Sequence, residues 1–357
     1  MKKRWAESVV LVYMLAFASQ GYADVAKFGV LVVDDTTDRP IPNVKVTGVF
    51  HKDNGWMAVK GTARPDTDEA VTDANGRCRL WGWTNNGKTF CCIDSAPTFY
   101  YWQGRGSGYN FHDKNLLGVW QPDNVVVTIR LQRVEHPIPL FVKNALLNDG
   151  KGIFPKDIDT ICYDVIVGDW LPPVGRGKIA DIEFNRHPRK ILGEVEIFAY
   201  DGKVKRKAYR DSLSIRFKGE DNGLVEMNYL PGSRLRIRNA PENGYKNDYL
   251  RWKGSKRIFL SGGWWLRDES NYEERRCFCF RIRTRRDKNG TIAEAYYGKI
   301  YGDFHIGYEN RPADKVETVG FFYYLNPKPL DRNLEWDRKT NLCPNPGIKG
   351  SVGDRDP

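Results

Sequence analysis

From residue 24 onward the chain alternates between short apolar runs and clusters of turn residues. Runs such as KFGVLVVDD and NVVVTIRLQRV are rich in Val, Ile and Leu, and Gly, Pro, Asn and Asp separate them. A period of two over about five to eight residues predicts β-strands with one face on a core. No amphipathic helix longer than about three turns is indicated. The pattern therefore predicts an all-β protein.

The strand pattern divides at a proline-containing stretch. Residues 24–133 end in a run with the alternation of a last strand, and HPIPLFVK follows. Pro137 and Pro139 in that stretch lack the N–H group that regular ladder pairing needs. About nine or ten further strand candidates occupy residues 134–342, and the tail 343–357 is rich in Gly and Pro. We therefore predict an Ig-like β-sandwich, then a larger β-sandwich-type domain, then a flexible tail.

The pair Asn86-Gly87 is the strongest hairpin signal, because a type I′ turn needs positive φ at both central residues. Such a turn places Gly82 opposite Cys91. In that register Cys78 shares a face with Cys91 but lies roughly 13 Å away along the ladder. We therefore expect no disulfide between the two.

The first 23 residues have the pattern of a secretory signal peptide. Three basic residues at 2–4 precede an apolar run at 9–18, and Gly21-Tyr22-Ala23 forms a small-residue exit. Cleavage is expected after Ala23, with Ala18 as the alternative. No later apolar run approaches the length of a membrane span, so we expect an exported protein with no transmembrane segment after cleavage. The pattern leaves open whether export ends in the periplasm or outside the cell.

The charge of the chain indicates acidic partners. The formal net charge is +11, and loss of residues 1–23 removes three cations and one carboxylate, which leaves +9. Because export argues against nucleic acid, we expect an anionic glycan, another anionic envelope polymer or another envelope protein as the partner. The aromatic share of 13%, with 11 Trp and 18 Tyr, indicates sheets with aromatic faces.

The cysteines do not show the spacing of a redox or metal site. There are seven, an odd number, and none forms a CxxC pair or a His-Cys cluster. We expect scattered, mostly buried cysteines and no bound metal or other cofactor. Their pairing stays open. The seven are Cys78, Cys91, Cys92, Cys162, Cys277, Cys279 and Cys343.

Residues 24–133 resemble the carboxypeptidase-regulatory-like, transthyretin-type Ig-like domain of bacterial exported proteins. The resemblance lies in VVDDTTDRPIPNVKV and AVTDANGRCRL, with an insert, GWMAVKGTARPDTDE, between them. It implies a β-sandwich with a spacer, folding or binding role and no catalysis. The matching residues are Pro40, Ile41, Asn43, Val44, Val46, Thr72, Asp73, Asn75, Gly76 and Tyr109. We expect the Asp73–Gly76 group to form a turn, since it lacks the further acidic ligands of a calcium loop.

The second half resembles other exported bacterial proteins that pair it with the same Ig-like domain. The similar stretches are GDWLPPVGRGKIADIEF and FFYYLNPKPLDRNLEWD. The resemblance implies that residues 134–342 form one unit, and it implies no activity because that group of proteins is uncharacterised.

The common catalytic signatures are missing from the sequence. It contains no HExxH, GxSxG or GxxxxGK[ST] motif, and the five histidines after the signal peptide, His51, His112, His136, His187 and His305, show no ligand spacing. Carboxylates crowd the start of the second domain at Asp157, Asp159, Asp164 and Asp169, and Asp181 alternates with Glu183. Exported glycosidases use carboxylate pairs, so a glycan-active hydrolase remains an alternative.

The strongest surface signal is basic and aromatic. In RCFCFRIRTRR, a period of two places Phe278, Phe280 and Ile282 on one face and the cysteines and arginines on the other. We expect the apolar face on the core and the basic face outward, as part of a groove for an anionic sugar. The candidate binding residues are Arg234, Arg236, Arg238, Arg281, Arg283, Arg285, Trp252, Trp264 and Trp265.

A structural explanation of the same arginines is favoured over the groove. Glu194 and Glu196 share a face of the run GEVEIFAY, so acidic and basic ladders would pair across a solvated sheet. Contacts of Arg281 and Arg283 with these or other carboxylates would weaken the groove hypothesis.

The sequence therefore predicts an exported, non-catalytic binding or scaffold protein of the bacterial envelope or extracellular space. The glycan-active hydrolase is the second alternative, and a purely structural spacer or assembly component is the third.

Overall fold

The computed structural model describes residues 25–52, 65–96, 98–100, 107–115, 119–145, 153–199, 202–227, 237–260, 263–273, 276–307 and 316–344. These residues form strands and turns, as the all-β prediction requires. No helix in these ranges is long and apolar enough to cross a membrane. The predicted signal peptide and all but two residues of the predicted tail lie outside the described residues.

The described residues up to Val134 form one compact unit, and those from Glu135 form a second. The strands of the first unit are β1 (Val25–Asp34), β2 (Lys45–Phe50), β3 (Asp66–Val71), β4 (Arg77–Trp83), β5 (Lys88–Ser95), β6 (Phe99–Tyr100), β7 (Ser107–Asn110), β8 (Asp113–Lys114), β9 (Trp120–Gln121) and β10 (Val126–Arg133).

Unit 1 is a sandwich of two four-stranded sheets, in the orders β4-β1-β10-β6 and β3-β2-β5-β7. Phe28 and Val30 of the first sheet pack in one core with Val46 and Phe50 of the second. The alternation of β1 and β2 produces this arrangement, because every second residue faces the other sheet.

The predicted hairpin at Asn86-Gly87 is wrong. β4 pairs with β1 and β5 pairs with β2, so the link between them crosses from one sheet to the other. Gly87 has φ 72°, whereas Asn86 does not have the positive φ of a type I′ turn. At Gly82, a Cβ would lie 2.2 Å from the Phe50 ring, so the absence of a side chain lets the two sheets close there.

Residues of the Ig-like motif stabilise turns of this sandwich. Thr72 Oγ1 donates to Ile41 O at 2.8 Å and accepts from Val44 N at 2.9 Å, which pins the loop that holds Asn43 at φ 60°. The Asp73 carboxylate accepts from two backbone N–H groups of its own turn, those of Asn75 and Arg77. The expected turn is therefore present.

The strands of the second unit are β11 (Ile138–Asn144), β12 (Thr160–Asp164), β13 (Asp169–Trp170), β14 (Ile182–Arg186), β15 (Lys190–Ala199), β16 (Gly202–Phe217), β17 (Gly223–Met227), β18 (Asp248–Leu260), β19 (Gly263–Ser270), β20 (Cys277–Arg286), β21 (Ile292–Tyr301), β22 (His305–Gly307), β23 (Thr318–Gly320), β24 (Phe322–Leu325) and β25 (Trp336–Asn341).

Unit 2 also contains two large sheets with a common core. The order of one is β17-β20-β21-β24-β11-β25, and that of the other is β13-β12-β14-β16-β18-β19, with β15 also paired to β16. Phe184 and Ile215 of the second sheet pack with Phe278, Phe280 and Ile282 of the first. The Phe278 face of β20 therefore lies on the core, as the pattern predicts.

The six-stranded sheet is buried on its other face as well. Ile237, Ala240 and Leu334, all outside the sheet, pack over Cys277 and Cys279. Leu140 and Val142 of β11 form a further buried cluster with Tyr324 of β24 and Trp336 of β25.

Strand β11 shows how the proline-containing stretch is accommodated. The strand includes Pro139 and lies between β24 and β25. Its register with β25 shifts between Ile138 and Leu140. Pro139 is thus placed at an irregularity, where a missing N–H is tolerated.

All seven cysteines are thiols in this structure. Five are buried and two, Cys78 and Cys162, are half-buried. Burial raises the pKa of Cys91 and of Cys279 to about 12, so neither thiol is poised to act as a nucleophile. Cys78 and Cys91 lie on strands of different sheets.

We expect the native thiols to react slowly and the unfolded chain to expose all seven. Labelling with a thiol reagent at pH 8 before and after guanidinium unfolding, without reductant, measures both numbers. A count below seven after unfolding would mean that oxidation joins cysteines that the structure keeps as thiols.

Candidate functional site

The expectation that the basic face of β20 points outward is wrong for Cys277, Cys279 and Arg281, and it holds only toward the end of the strand, where Arg285 is exposed. Cys277, Cys279 and Arg281 are as buried as the phenylalanines between them. The reason is the layer of residues that covers this face of the six-stranded sheet. A period of two assigns side chains to opposite faces, but it does not determine whether either face is solvated.

Arg281 is a structural residue in this environment. Its side chain donates from Nε and Nη2 to Asp221 O, at 2.8 and 2.6 Å, and from Nη1 to Glu242 O at 3.2 Å. Its guanidinium also lies 4.6 Å from the ring centre of Tyr245. Since these N–H groups are hydrogen-bonded to backbone carbonyls, the Arg281 guanidinium cannot bind a ligand carboxylate or sulfate in a bidentate manner.

Arg283 connects the two sheets of unit 2. It donates from Nε to Asp181 Oδ1 at 2.8 Å and from Nη2 to Asp164 Oδ1 at 2.6 Å. The two carboxylate side chains are only 2% and 1% exposed. The register of β20 with β21 gains one residue between Ile282 and Arg285, and Arg283 has φ 54°. This bulge accompanies the change of side that brings Arg283 to the carboxylates of the other sheet.

The remaining predicted arginines divide into two groups. Arg285 is exposed and pairs with Glu294 at 3.2 Å, and Arg238 pairs with Glu135 at 2.7 Å. Arg234 and Arg236 lie outside the described residues. The structure therefore does not bring the two arginine-rich segments together as one basic groove in the part of the chain that it describes.

The predicted tryptophans also do not form a bare stacking platform. The guanidinium of Arg210 lies 4.3 Å from the ring centre of Trp252, so one face of this indole is covered. Trp264 and Trp265 lie in β19, opposite Phe259 and Ile258 of β18, and only their backbone is described.

The acidic ladder of β15 pairs with lysines instead of with the predicted arginines. Glu194 lies opposite Lys207 of β16, with Oε1 and Nζ 3.8 Å apart, and Glu196 lies opposite Lys205. The structural explanation of the acidic run therefore holds with a different basic partner.

The crowded aspartates at the start of unit 2 are also used structurally. Asp164 accepts from the backbone N–H groups of Val167, Lys178 and Ile179 in addition to Arg283. Within the described ranges, no group of three or more His, Cys, Asp or Glu side chains has the arrangement of a metal site.

An exposed basic and aromatic face is present in unit 1 instead. Alternate residues of β4, namely Arg77, Arg79, Trp81 and Trp83, point away from the core, and their neighbours Leu80 and Gly82 are buried. Trp81 is 61% exposed, and Trp83 is 37% exposed. We call these four residues, together with Lys27 of β1, the tryptophan-arginine face.

The strand order completes this face. Lys27 lies opposite Trp81, and Gly29 lies between Arg79 of β4 and Val126 of β10. Because Gly29 has no side chain, β1 contributes no side chain to the surface between Arg79 and Val126. Val126 is 49% exposed. Arg77, Arg79 and Lys27 are not in an ion pair with any described carboxylate.

Two aspartates hold the strand that carries the face. β4 is an edge strand, and the outward N–H groups of Trp81 and Trp83 donate to Asp68 Oδ2 at 3.0 Å and Asp66 Oδ2 at 2.8 Å. An edge whose N–H groups are occupied is protected from pairing with another chain. Lys52 Nζ lies 4.7 Å from the ring centre of Trp83, whereas no described cation or ring lies over Trp81. The Trp81 indole is therefore available to a ligand.

Sequence reasoning identified the strand of this face but not the face. The alternation R-x-R-x-W-x-W in RCRLWGW was the available signal. The wrong hairpin with β5 obscured it, because it placed β4 beside a strand of the opposite sheet.

Comparison with known proteins does not place the chain in a family. No family model matches the chain, and no curated protein matches it. The carboxypeptidase-regulatory-like resemblance therefore stays a prediction.

Similar solved structures include a streptococcal ancillary pilin, the major pilin SpaD of Corynebacterium diphtheriae and the major pilin subunit BcpA of Bacillus cereus. The identities are 13%, 8% and 11%, and the matches cover 51%, 85% and 85% of this chain. They cover 58%, 58% and 96% of the matched chains, so this chain spans just over half the length of the first two. Each TM-score is 0.22, which supports no argument about function.

The Arg283 ion pairs generate a stability prediction. Arg283→Ala leaves two buried carboxylates without their cation, so we expect the free energy of unfolding to fall by about 3–5 kcal/mol. Urea denaturation at pH 7 measures the change. Arg285→Ala is the matched control on the same strand, and its exposed ion pair should contribute less than about 1 kcal/mol. Equal losses in the two variants would contradict the role assigned to Arg283.

The same variant should respond to pH. Burial raises the pKa of Asp181, and Arg283 opposes that shift. Without Arg283, the folded-state pKa should rise further above the unfolded value of about 3.9. A carboxyl group whose pKa is higher in the folded state than in the unfolded state stabilises the fold at pH values below its unfolded-state pKa. That contribution to stability is lost as the pH rises through its folded-state pKa. The deficit of Arg283→Ala relative to the wild type should therefore be smaller at pH 4.5 than at pH 7. A deficit that grows on acidification would contradict this assignment.

Proposed function

We propose that this protein is an exported, non-catalytic binding protein that recognises an anionic polysaccharide through the tryptophan-arginine face of unit 1. The observation that carries the proposal is Trp81, which is 61% exposed among three cations that are not paired with described carboxylates. A large indole exposed on a sheet face, rather than buried, is typical of an interaction surface.

The chemistry of the face suits a charged sugar polymer. The C–H faces of pyranose rings pack on an indole, and arginine forks bind carboxylate or sulfate groups in a bidentate manner. From Arg77 to Trp83 the row extends over roughly 20 Å, at about 3.3 Å per residue. A row of that length fits several sugar units in succession better than one.

The charge of the chain supports the same partner. Elsewhere in the described residues, many arginines are paired, as Arg283 is with Asp181 and Arg216 is with Asp248. The cations of the face have no such partner among the described carboxylates, so an anionic ligand would supply countercharge.

The two alternative functions, a hydrolase and an assembly component, would require different features of this face. A hydrolase needs two carboxylates that face the substrate, whereas Asp66 and Asp68 beside the face accept hydrogen bonds from the backbone of β4. An assembly component would use the same indole against a protein. The three similar structures are pilin proteins, but TM-scores of 0.22 do not carry that role to this chain.

We expect Trp81→Ala to weaken binding to an anionic polysaccharide by about tenfold or more, because the lost indole contact is worth about 1.4 kcal/mol or more. Affinity gel electrophoresis with polygalacturonate and with heparin in the gel measures the change. Val71→Ala is the matched control, since Val71 is 58% exposed in the same unit but on the other sheet. Retention by neither polymer, or equal effects of the two variants, would overturn the proposal.

The arginines of the face should control the salt dependence of binding. We expect Arg79→Ala to lower affinity at low salt and to reduce the sensitivity to added NaCl, because exposed charges are screened over about 10 Å at 0.1 M. Arg285→Ala, an exposed arginine in an ion pair, is the control. Carboxyl-reduced polygalacturonate should bind weakly to all variants. If it binds as tightly as the native polymer, the anionic part of the proposal is wrong.

A further inference from the structure

The outer face of the seven-stranded sheet in unit 2 contains a separate pocket of about 490 Å³. We infer that this pocket is a binding site for a neutral, polyhydroxylated ring of monosaccharide size. Its volume lies within the roughly 300–1,000 Å³ of typical small-molecule sites. The inference does not depend on the tryptophan-arginine face, since no residue of unit 1 lines the pocket.

The strand register builds the pocket from two rows of side chains. Arg216 of β16 lies between Glu183 of β14 and Asp248 of β18. In the next row, Ser214 of β16 lies between Asn185 of β14 and Leu250 of β18. Neighbouring strands are about 4.8 Å apart, so each row spans about 10 Å. That width matches one small ring with its substituents.

The charges of the pocket are already paired within the protein. Arg216 Nε donates to Asp248 Oδ1 at 2.8 Å, and Lys218 Nζ donates to Glu183 Oε2 at 3.0 Å. A charged ligand would have to compete with one of these pairs. A neutral ligand can bind to the remaining lone pairs and N–H groups without separating them, so the pocket favours a neutral ligand.

The uncharged polar groups of the pocket both donate and accept. His187 Nε2 and Ser214 Oγ are 2.7 Å apart, and the amide of Asn185 lies in the same row as Ser214. Sugar hydroxyls also donate and accept, so they can bind to carboxylate, amide, imidazole and guanidinium groups on one surface.

The apolar part of the pocket is aliphatic. Leu250 is 51% exposed and offers a surface for the C–H groups of a sugar ring. Tyr249 contributes little of its ring, because its hydroxyl hydrogen-bonds to Asp303 and its ring packs on Phe278 and Phe304 in the core. The lining contains no Trp or Phe, and its exposed apolar surface is the aliphatic side chain of Leu250, which favours a sugar ring over a flat nucleobase.

The pair of His187 and Ser214 is assigned to binding and not to catalysis. A serine nucleophile needs a base that a third group orients, and it needs N–H donors for the oxyanion. Among the described residues, the only side-chain hydrogen bond of His187 is that to Ser214. The surrounding backbone N–H groups belong to ladder strands, and that of His187 donates to Ser212 O.

NMR titration of the full-length chain tests the inference. The probes are glucose, galactose, mannose and N-acetylglucosamine, with glucuronate, glucosamine and adenosine as comparisons. We expect at least one neutral pyranose to bind at millimolar concentration and to bind more tightly than the three comparisons. Ser214→Ala should weaken that binding about tenfold. Ser212→Ala, two residues away on the same face but outside the lining, should leave it unchanged.

Three results would overturn the inference: no binding of any neutral pyranose, equal or tighter binding of glucuronate, glucosamine or adenosine, or equal losses in the two serine variants. Trp81→Ala separates this inference from the proposed polysaccharide function. That variant should keep the binding of the neutral pyranose. If polygalacturonate and heparin fail to bind while the pyranose still depends on Ser214, only the proposed function is wrong.

Discussion

The ion pairs of Arg283 with Asp164 and Asp181 are the interaction on which unit 2 depends. A guanidinium at the bulge of β20 meets two carboxylates, each at most 2% exposed: Asp164 at the end of β12 and Asp181 directly before β14, both strands of the opposite sheet. Buried charges that lack a partner are strongly unfavourable, so the bulge and the turn around Asp164 have to form together. The same Asp164 accepts hydrogen bonds from the backbone N–H groups of residues 167, 178 and 179, which extends the constraint to the loop after β12 and to the loop between β13 and β14.

A second buried network acts near the other end of β20. Arg276, which precedes the strand, donates to Asp303 at 2.8 Å and to the hydroxyl of Tyr249 at 2.9 Å. Arg251 of β18 donates to Phe304 O at 2.9 Å. The arginines near both ends of β20 thus bridge the two sheets around a core of aromatic rings. This explains why Arg276, Arg281 and Arg283 stabilise the fold and are not available as a binding surface.

The cations of this chain are therefore divided by burial and by pairing. Arg281 of β20 is enclosed by the layer of residues over one face of its sheet, and Arg283 is held by carboxylates on the side of the opposite sheet. Arg77 and Arg79 of the tryptophan-arginine face lie on the edge strand β4, with Lys27 on the neighbouring strand β1, and all three are exposed. The net charge of the chain does not distinguish buried cations from exposed ones, because each adds one positive charge.

Local spacing along the chain is enough to predict that the protein is all-β, that most of the strands lie where the apolar alternation occurs, and that the Phe278 face of β20 lies on the core. These properties depend on local spacing, which a single chain segment contains. Long-range contacts determine that β4 and β5 belong to different sheets, that β20 is buried on both faces from Cys277 to Ile282, and which arginines meet carboxylates. Those outcomes depend on contacts between residues distant in the chain, such as Arg283 with Asp164, and a period of two carries no information about what lies above a sheet.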